Sequence, residues 1–120
     1  MSPADRIRLQ HLVDAADAAA TFVAGRSRED LDNDLMLQFA LVRAVEIVGE
    51  AASKVSDEVK SCLALPWAAM VGMRNRLVHA YFDVDRDVLW NTVQVSLPLL
   101  RDEVARALGV NDPRHGPDAA

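Results

Sequence analysis

The stretch LMLQFALVRAVEIVGEAASKV, residues 35–55, decides the fold class because its apolar residues recur at intervals of three and four. On an α-helix this spacing gathers them on one face, which is typical of a helix packed against a hydrophobic core. The opposite face mixes apolar and ionisable side chains, so the segment predicts one long amphipathic helix. Its predicted core face is Leu37, Leu41, Ala44, Val48, Ala51, Ala52 and Val55.

Capping signals indicate two helices in the first half of the chain. Ser27, with Asp30 three residues later, is typical of a helix start, and the helical pattern then runs to about Ser56. An earlier helix is expected to begin at Ser2 and to stop at Gly25, because serine caps helix starts and glycine ends helices. The predicted buried residues of this first helix are Leu9, Leu12, Val13, Ala16, Ala20 and Val23.

The second half of the chain predicts two more helices, after a polar connection at residues 57–65. Pro66 suits the first turn of a third helix, since proline fixes φ there. A fourth helix should start near Asp85. Pro98 cannot donate a hydrogen bond to the carbonyl of Gln94, which predicts a kink rather than a stop, because the apolar stripe continues. That stripe is Leu89, Val93, Leu97, Leu100, Val104 and Leu108.

The composition agrees with a helical protein. Of the 120 residues, 51% are hydrophobic, and only five are glycine and five proline, which favours packed helices. The length allows one domain with a single core. We therefore predict an all-α, up-and-down bundle of four to five helices over residues 1–109, followed by a disordered tail at residues 110–120.

Composition and charge also exclude several classes of function. No apolar run reaches membrane-spanning length, and the N-terminus lacks the apolar stretch of a signal peptide, so we expect a cytoplasmic protein without a membrane segment. The single cysteine, Cys62, and the absence of paired ligands predict neither a disulfide nor a metal or cofactor site. The net charge of −5 argues against broad attraction to nucleic acid, so any RNA contact must be local.

Polar side chains interrupt the apolar pattern in MVGMRNRLVHAYFDVD, residues 70–85. On a helical wheel Arg74 falls in the middle of an apolar side of the third helix, where a guanidinium is costly to bury alone. Glu46 and Glu50, four residues apart on one helical face, are the predicted ion-pair partners. A purely structural salt bridge is one interpretation of Arg74. The apolar side comprises Met70, Val71, Leu77, Val78 and Tyr81.

His79 favours a second interpretation. It follows Arg74 by five residues, about 140° away on an ideal helix, so the two share a face only if the helix ends or a second protomer completes the site. Asn75 and His79 are neighbours at i and i+4, and Tyr81 returns to the face of Arg74. A fixed cation, an amide, an imidazole and a phenol thus lie near one helix end.

The run RNRLVHAY resembles the signature of the HepT toxins, a branch of the HEPN ribonuclease superfamily, in which an Arg, four residues, a His, one residue and a Tyr follow one another. The flanking segments EIVGEAASKVS and LWNTVQVSLPLL follow the same layout, and the resemblance extends from about Asp5 to Leu108. It implies a HEPN-like helical bundle that forms a homodimer, with the two motif copies lining a cleft between protomers.

The resemblance also implies an activity and a partner. The activity is metal-independent endoribonuclease cleavage of RNA, with Arg74 and His79 as the catalytic pair and Asn75 as the polar residue beside them. The partner is an MntA-like nucleotidyltransferase antitoxin that adds AMP to the motif tyrosine, here Tyr81, and thereby silences the toxin. Glu46 and Glu50 support Arg74 in this scheme.

A chemical hypothesis follows for RNA cleavage. The 2′-hydroxyl is the nucleophile, His79 transfers protons near neutral pH, Arg74 grips the phosphate through a bidentate fork, and Asn75 orients the oxygens. The expected product ends in a 2′,3′-cyclic phosphate. Tyr81 can stack on a base, and its adenylylation would bring bulk and negative charge into the cleft.

Two other classes of function remain open. One is a non-catalytic dimeric helical module that binds a nucleotidyltransferase, which the acidic net charge favours. The other is a DNA-binding regulator, which the sequence supports less, because Arg76 has no accompanying cluster of Lys or Arg on the third helix.

Overall fold

The first helix follows its predicted limits closely. The computed structural model describes residues 1–80 and 83–109, with the backbone alone at positions 79 and 80. Helix α1 spans Pro3–Val23, and the Ser2 hydroxyl accepts a hydrogen bond from the amide of Asp5. Gly25 takes a left-handed φ of +73°, which ends the helix. The predicted buried stripe is confirmed except at Ala20, which is exposed because its neighbour Ala19 faces the core.

The predicted single helix from Ser27 to Ser56 is wrong, because the chain leaves helical geometry at Asp34. Helix α2 spans Arg28–Asn33, and its start is a capping box between Ser27 and Asp30. Helix α3 spans Leu35–Lys54, and the Asp34 carboxylate caps it by accepting from the amide of Leu37. The predicted core face of α3 is buried along its whole length.

The segment predicted as a polar connection contains a helix. Helix α4 spans Asp57–Cys62, and the Ser56 hydroxyl caps it through the amide of Val59. Serine followed by two acidic residues is a helix start that the sequence displays, but six residues are too few to show an apolar period.

The predicted third helix is also divided and ends early. Helix α5 spans Trp67–Val71, helix α6 spans Met73–Leu77, and the chain then forms strand β1, Val78–Ala80. Strand β2, Asp83–Val84, pairs antiparallel with β1, and the Asp85 amide donates to the Leu77 carbonyl at 2.7 Å. The hairpin therefore replaces the last turn of the predicted helix.

The last helix continues past Pro98 as predicted. Helix α7 spans Arg86–Asn91, a π-helical segment spans Thr92–Ser96, and helix α8 spans Leu97–Leu108. The π-helical segment ends two residues before Pro98 and contains Gln94, whose carbonyl receives no N–H from the proline, so the irregularity falls where the proline predicts it. The predicted stripe is buried from Leu89 to Leu108. The predicted tail lies outside the described residues.

The core lies between α1, α3 and α8, with α5 and α6 packed on the side of α3. The predicted all-α bundle is confirmed, and the short hairpin is the only pair of strands in the described ranges. Residues with essentially no exposed surface form its centre: Leu9, Leu12, Leu31, Leu41, Val45, Val48, Met70, Leu77, Leu89 and Val104.

Candidate functional site

Helix α6 holds the first two residues of the polar motif at the surface. Met73 and Leu77 are buried and fix the helix against the bundle. Arg74 and Asn75 consequently face outward, and half of the Arg74 side-chain surface is exposed. The predicted position of Arg74 in the middle of a buried side is therefore wrong, because the break at Gly72 and the end at Leu77 invalidate a single wheel.

An acidic partner holds Arg74 from the neighbouring helix. Its Nε lies 3.7 Å from Oε1 of Glu46 on α3, a separation beyond ordinary hydrogen-bond length, so the attraction is mainly Coulombic. The glutamate approaches the Nε side of the guanidinium, and half of the Arg74 side chain stays accessible to other groups.

The two glutamates predicted to support Arg74 have different partners. Arg43 stands between them, with its Nη1 3.7 Å from Glu46 Oε2 and 3.5 Å from Glu50 Oε1. Glu46 thus contacts both Arg74 and Arg43, whereas Glu50 contacts Arg43. Charges of opposite sign alternate along this face, which offsets the repulsion between two carboxylates four residues apart. Sequence reasoning assigned no role to Arg43.

The rest of the motif lies on and beyond β1. The backbone of His79 is in the strand, so the helical separation of 140° from Arg74 does not apply, and neither does the helical adjacency of Asn75 and His79. Val78 pairs with Val84 in the hairpin. Arg74 and His79 therefore belong to consecutive elements, α6 and β1. Tyr81 lies outside the described residues.

Ion pairs fasten the hairpin's exit to helix α2. Arg28 contacts Asp32 and Asp87 at 2.7 Å, and Arg86 contacts Asp32 at 2.9 Å. Hydrogen bonds to the two aspartates raise the pKa of Arg28, and the hydrogen bond from Arg28 lowers the pKa of Asp32. Sequence reasoning missed this cluster, although the alternating charges of SRED and DVDRD were a visible signal.

Two features are absent from the described residues: a cluster that could hold a metal ion and a helix that could span a membrane. Across residues 1–80 and 83–109, no group of three or more His, Cys, Asp or Glu side chains is placed to hold a metal ion. Among the helices in those ranges, none has the length and apolar character needed to cross a bilayer.

Comparison with known proteins identifies the class to which this helical bundle and its motif belong. The family model described as ribonuclease HepT-like matches residues 12–107. The chain belongs to the HepT-like ribonuclease family, which confirms the resemblance based on RNRLVHAY. No solved structure matches the chain significantly.

Individual relatives agree with this family. A protein of Thermococcus cleftensis named "Probable ribonuclease HepT" is 38% identical over 94 residues, 78% of this chain and 86% of the relative. A "Putative RNase" of Caldanaerobacter subterraneus subsp. tengcongensis is 34% identical over 101 residues, 83% of this chain and 90% of the relative. One of Methanocaldococcus jannaschii is 32% identical over 97 residues, 80% of this chain and 89% of the relative.

Proposed function

We propose that this protein is a metal-independent endoribonuclease that cleaves RNA by attack of the 2′-hydroxyl on the adjacent phosphate. The observation that carries the proposal is the exposed guanidinium of Arg74 on α6, the helix that directly precedes the strand containing His79. An outward cation beside an imidazole-bearing segment suits a phosphodiester substrate. Membership of a ribonuclease family and the names of the relatives support RNA as that substrate.

Each motif residue has a role that fits its chemistry. RNA supplies its own nucleophile, so the protein must move protons and stabilise charge at phosphorus, and neither task requires a metal ion. We assign the proton transfers to His79 and the grip on the phosphate to Arg74, with Glu46 as its positioning residue. Asn75, exposed beside Arg74, orients the phosphate oxygens. The product then ends in a 2′,3′-cyclic phosphate.

Two protomers form the site together in this proposal. The Arg74 side chain is half exposed on the surface of the protomer, so a second copy of the chain can approach it. In a homodimer, Arg74 of one protomer and His79 of the other would face the same phosphate across the cleft. Such a cleft concentrates cationic groups locally, which reconciles RNA binding with the net charge of −5.

Regulation is proposed to act on Tyr81, two residues after His79. The protein would be the toxin of a cytoplasmic toxin–antitoxin pair, and an MntA-like nucleotidyltransferase would silence it by adding AMP to this phenol. The added phosphate repels the RNA backbone. Mass spectrometry after co-expression with such a nucleotidyltransferase should find AMP on the peptide containing Tyr81. The Tyr81→Phe variant should carry none, and AMP on a different residue would contradict the assignment.

Cleavage assays with defined RNA test the catalytic proposal. His79→Ala and Arg74→Ala should each lower kcat/KM by about 100-fold or more, the usual contribution of a positioned acid–base group or charge stabiliser. Arg106→Ala, which removes an exposed arginine paired with Glu103 on α8, is the matched control and should cleave normally. Chelation of metal ions should leave the rate unchanged. Wild-type activity in His79→Ala would show that the assignment is wrong.

The second candidate function is a non-catalytic dimeric module that binds a nucleotidyltransferase. The acidic net charge favours it, because a scaffold needs no attraction to RNA. A cell-growth assay separates the two functions. Growth arrest on expression, relieved by the nucleotidyltransferase and lost in His79→Ala, supports the nuclease, whereas unaffected growth together with stable binding of the partner supports the module.

A further inference from the structure

A second polar feature lies at the surface between α1 and α3. It is a pocket lined by apolar side chains of α3 and by ionisable groups from both helices. The lining residues are Arg8, His11, Ile47, Glu50, Ala51 and Lys54. Nothing in the proposed catalytic roles uses this pocket.

The charges around the pocket favour an anion. Arg8 and Lys54 contribute fixed positive charges from opposite walls, and His11 adds an imidazole. The one carboxylate of the lining, Glu50, lies 3.5 Å from Arg43, which offsets its negative charge. A guanidinium and an ammonium that line one small pocket can together bind phosphate oxygens.

The walls of the pocket are fixed to each other at one end. One turn before Arg8, the carboxylate of Asp5 accepts hydrogen bonds from the amide of Ser56 at 2.9 Å and from its hydroxyl at 2.7 Å. Ser56 follows Lys54 by two residues, so this contact ties α1 to the end of α3. The Asp5 carboxylate is thereby engaged, and it anchors the segment of α1 before Arg8 to the residues that follow Lys54.

A continuous charged surface connects the pocket with Arg74. Arg74 contacts Glu46, Glu46 contacts Arg43, and Arg43 contacts Glu50 in the pocket wall. Lys54 stands eight residues beyond Glu46 on the same helix, about 12 Å along its axis. Including Arg8, this surface carries more fixed positive than negative charges, although the whole chain is acidic.

We infer that the pocket between α1 and α3 is a phosphate subsite, which binds a backbone phosphate of the RNA strand a few nucleotides from the scissile link. The inference rests on the proposed ribonuclease function and adds to it a path for the substrate from Arg74 along α3. A groove of separated cations that follows a strand binds RNA irrespective of sequence. The subsite should therefore raise affinity for longer strands without selecting bases.

Binding of a 2′-O-methyl RNA oligonucleotide, which cannot be cleaved by 2′-hydroxyl attack, tests the subsite by fluorescence anisotropy. Arg8→Ala and Lys54→Ala should each weaken binding roughly two- to fivefold, and each should reduce the salt dependence of log K by about 0.7. Glu50→Gln should tighten binding, because it removes the carboxylate. The control pair Lys60→Ala and Arg106→Ala removes equal charge outside the pocket and should leave the salt dependence unchanged.

Cleavage kinetics supply a readout that a merely structural role would not alter. The wild type should show a lower KM for long RNA than for a dinucleotide, and the Arg8→Ala/Lys54→Ala double variant should lose this advantage. Equal length dependence in the double variant and the wild type would overturn the subsite while leaving the catalytic proposal intact. If the wild type neither binds nor cleaves RNA, the proposed function fails, and the subsite fails with it.

A titration with inorganic phosphate tests whether the pocket binds the RNA backbone or a free small anion. In a phosphate titration followed by NMR, the amide resonances of Arg8 and Lys54 should shift only slightly, and added oligonucleotide should displace the phosphate. Strong phosphate binding that RNA does not displace would assign the pocket to a small anion and overturn the RNA path.

Discussion

Glu46 links the motif to the bundle, because its carboxylate forms an ion pair between Arg74 and helix α3. The Glu46 side chain is less exposed than the side chains of Arg74 and Arg43, so it is the more firmly held partner in both ion pairs. An ion pair restricts the conformations of a guanidinium, which then loses less conformational entropy when it binds a phosphate. In the proposed mechanism, Glu46 orients Arg74 in this way before substrate binds.

Replacement of Glu46 should reduce catalysis without abolishing it. Glu46→Gln removes the charge that positions Arg74, and a partly exposed ion pair contributes about 0.2–1 kcal/mol, so kcat/KM should fall roughly two- to fivefold. The control is Glu103→Gln, since Glu103 pairs with Arg106 on α8. Steady-state cleavage measures both variants, and equal rates for Glu46→Gln and the control would show that Arg74 does not depend on Glu46.

Asp5 makes the stability of the bundle depend on pH. The hydrogen bond from the Ser56 hydroxyl, followed by that from the Ser56 amide, lowers the pKa of this carboxyl below its ordinary value. The unfolded chain, with an Asp pKa of about 3.9, therefore binds a proton before the folded chain does. The stabilisation is complete above that pH and is lost as the pH falls through the lower pKa of the folded state.

Thermal melting between pH 7 and pH 2.5 tests this dependence. The Tm of the wild type should decline below about pH 4. The Tm of Asp5→Asn should be lower at pH 7 and should decline less steeply, because asparagine cannot take up a proton at that position. Asp14→Asn, an exposed carboxylate on the same helix, is the control and should keep the wild-type slope. Identical slopes for Asp5→Asn and the wild type would contradict the linkage.

Gly49 permits the close contact of α3 with the element that leads to the motif. A Cβ at this position would lie 3.2 Å from the Met70 carbonyl oxygen and 3.4 Å from that of Val71. Both oxygens belong to the backbone of α5, and Met70 is fully buried, so the obstacle cannot rotate away. Because α6 follows directly, the position of Arg74 depends on this contact.

Gly49→Ala should accordingly destabilise the protein. Alanine is favoured over glycine within helices by about 1 kcal/mol, but overpacking against backbone costs about 1–3 kcal/mol, so we expect a net loss of about 1 kcal/mol. Urea unfolding measures this free energy, and the RNA cleavage rate should fall with it. A variant with a larger free energy of unfolding than the wild type would show that the α5 backbone shifts away from the added methyl group without loss of stability.

At the scale of helices and strands, the sequence predicts an element only where its apolar residues repeat over several turns. Helices α1 and α3 and the stripe after Asp85 were predictable because each shows several turns of one apolar face. The break at Asp34 depends on a capping side chain within an unbroken apolar pattern, and the break at Gly72 falls between two helices of five residues each. Segments that short contain too few turns to display a period.

The same reasoning explains what could be predicted of the site. The motif residues and Glu46 were identified from the sequence, since their residue types and order are visible there. The exposure of Arg74 was not, because it depends on where α6 ends, and that end is set by the pairing of β1 with β2. Strand pairing is a tertiary contact, and a helical wheel contains no information about it.

For the whole molecule, the central claim is that two protomers share each active site. An isolated protomer has an acidic net charge and an Arg74 that is exposed on its surface. A symmetric dimer would bring two copies of this surface together and create two equivalent sites, each with an arginine from one chain and a histidine from the other. The claim therefore predicts how two inactive variants should behave when their subunits are mixed.

Subunit complementation is the most direct measurement. Purified Arg74→Ala and His79→Ala proteins, each inactive alone, are mixed, allowed to exchange subunits and assayed for RNA cleavage. A mixed dimer with a shared site contains one intact Arg74–His79 pair, so random exchange should restore about one quarter of the wild-type activity. If each site lay within a single protomer, every site in the mixture would lack one residue. A mixture no more active than either variant alone, with exchange verified by native mass spectrometry, would contradict the account.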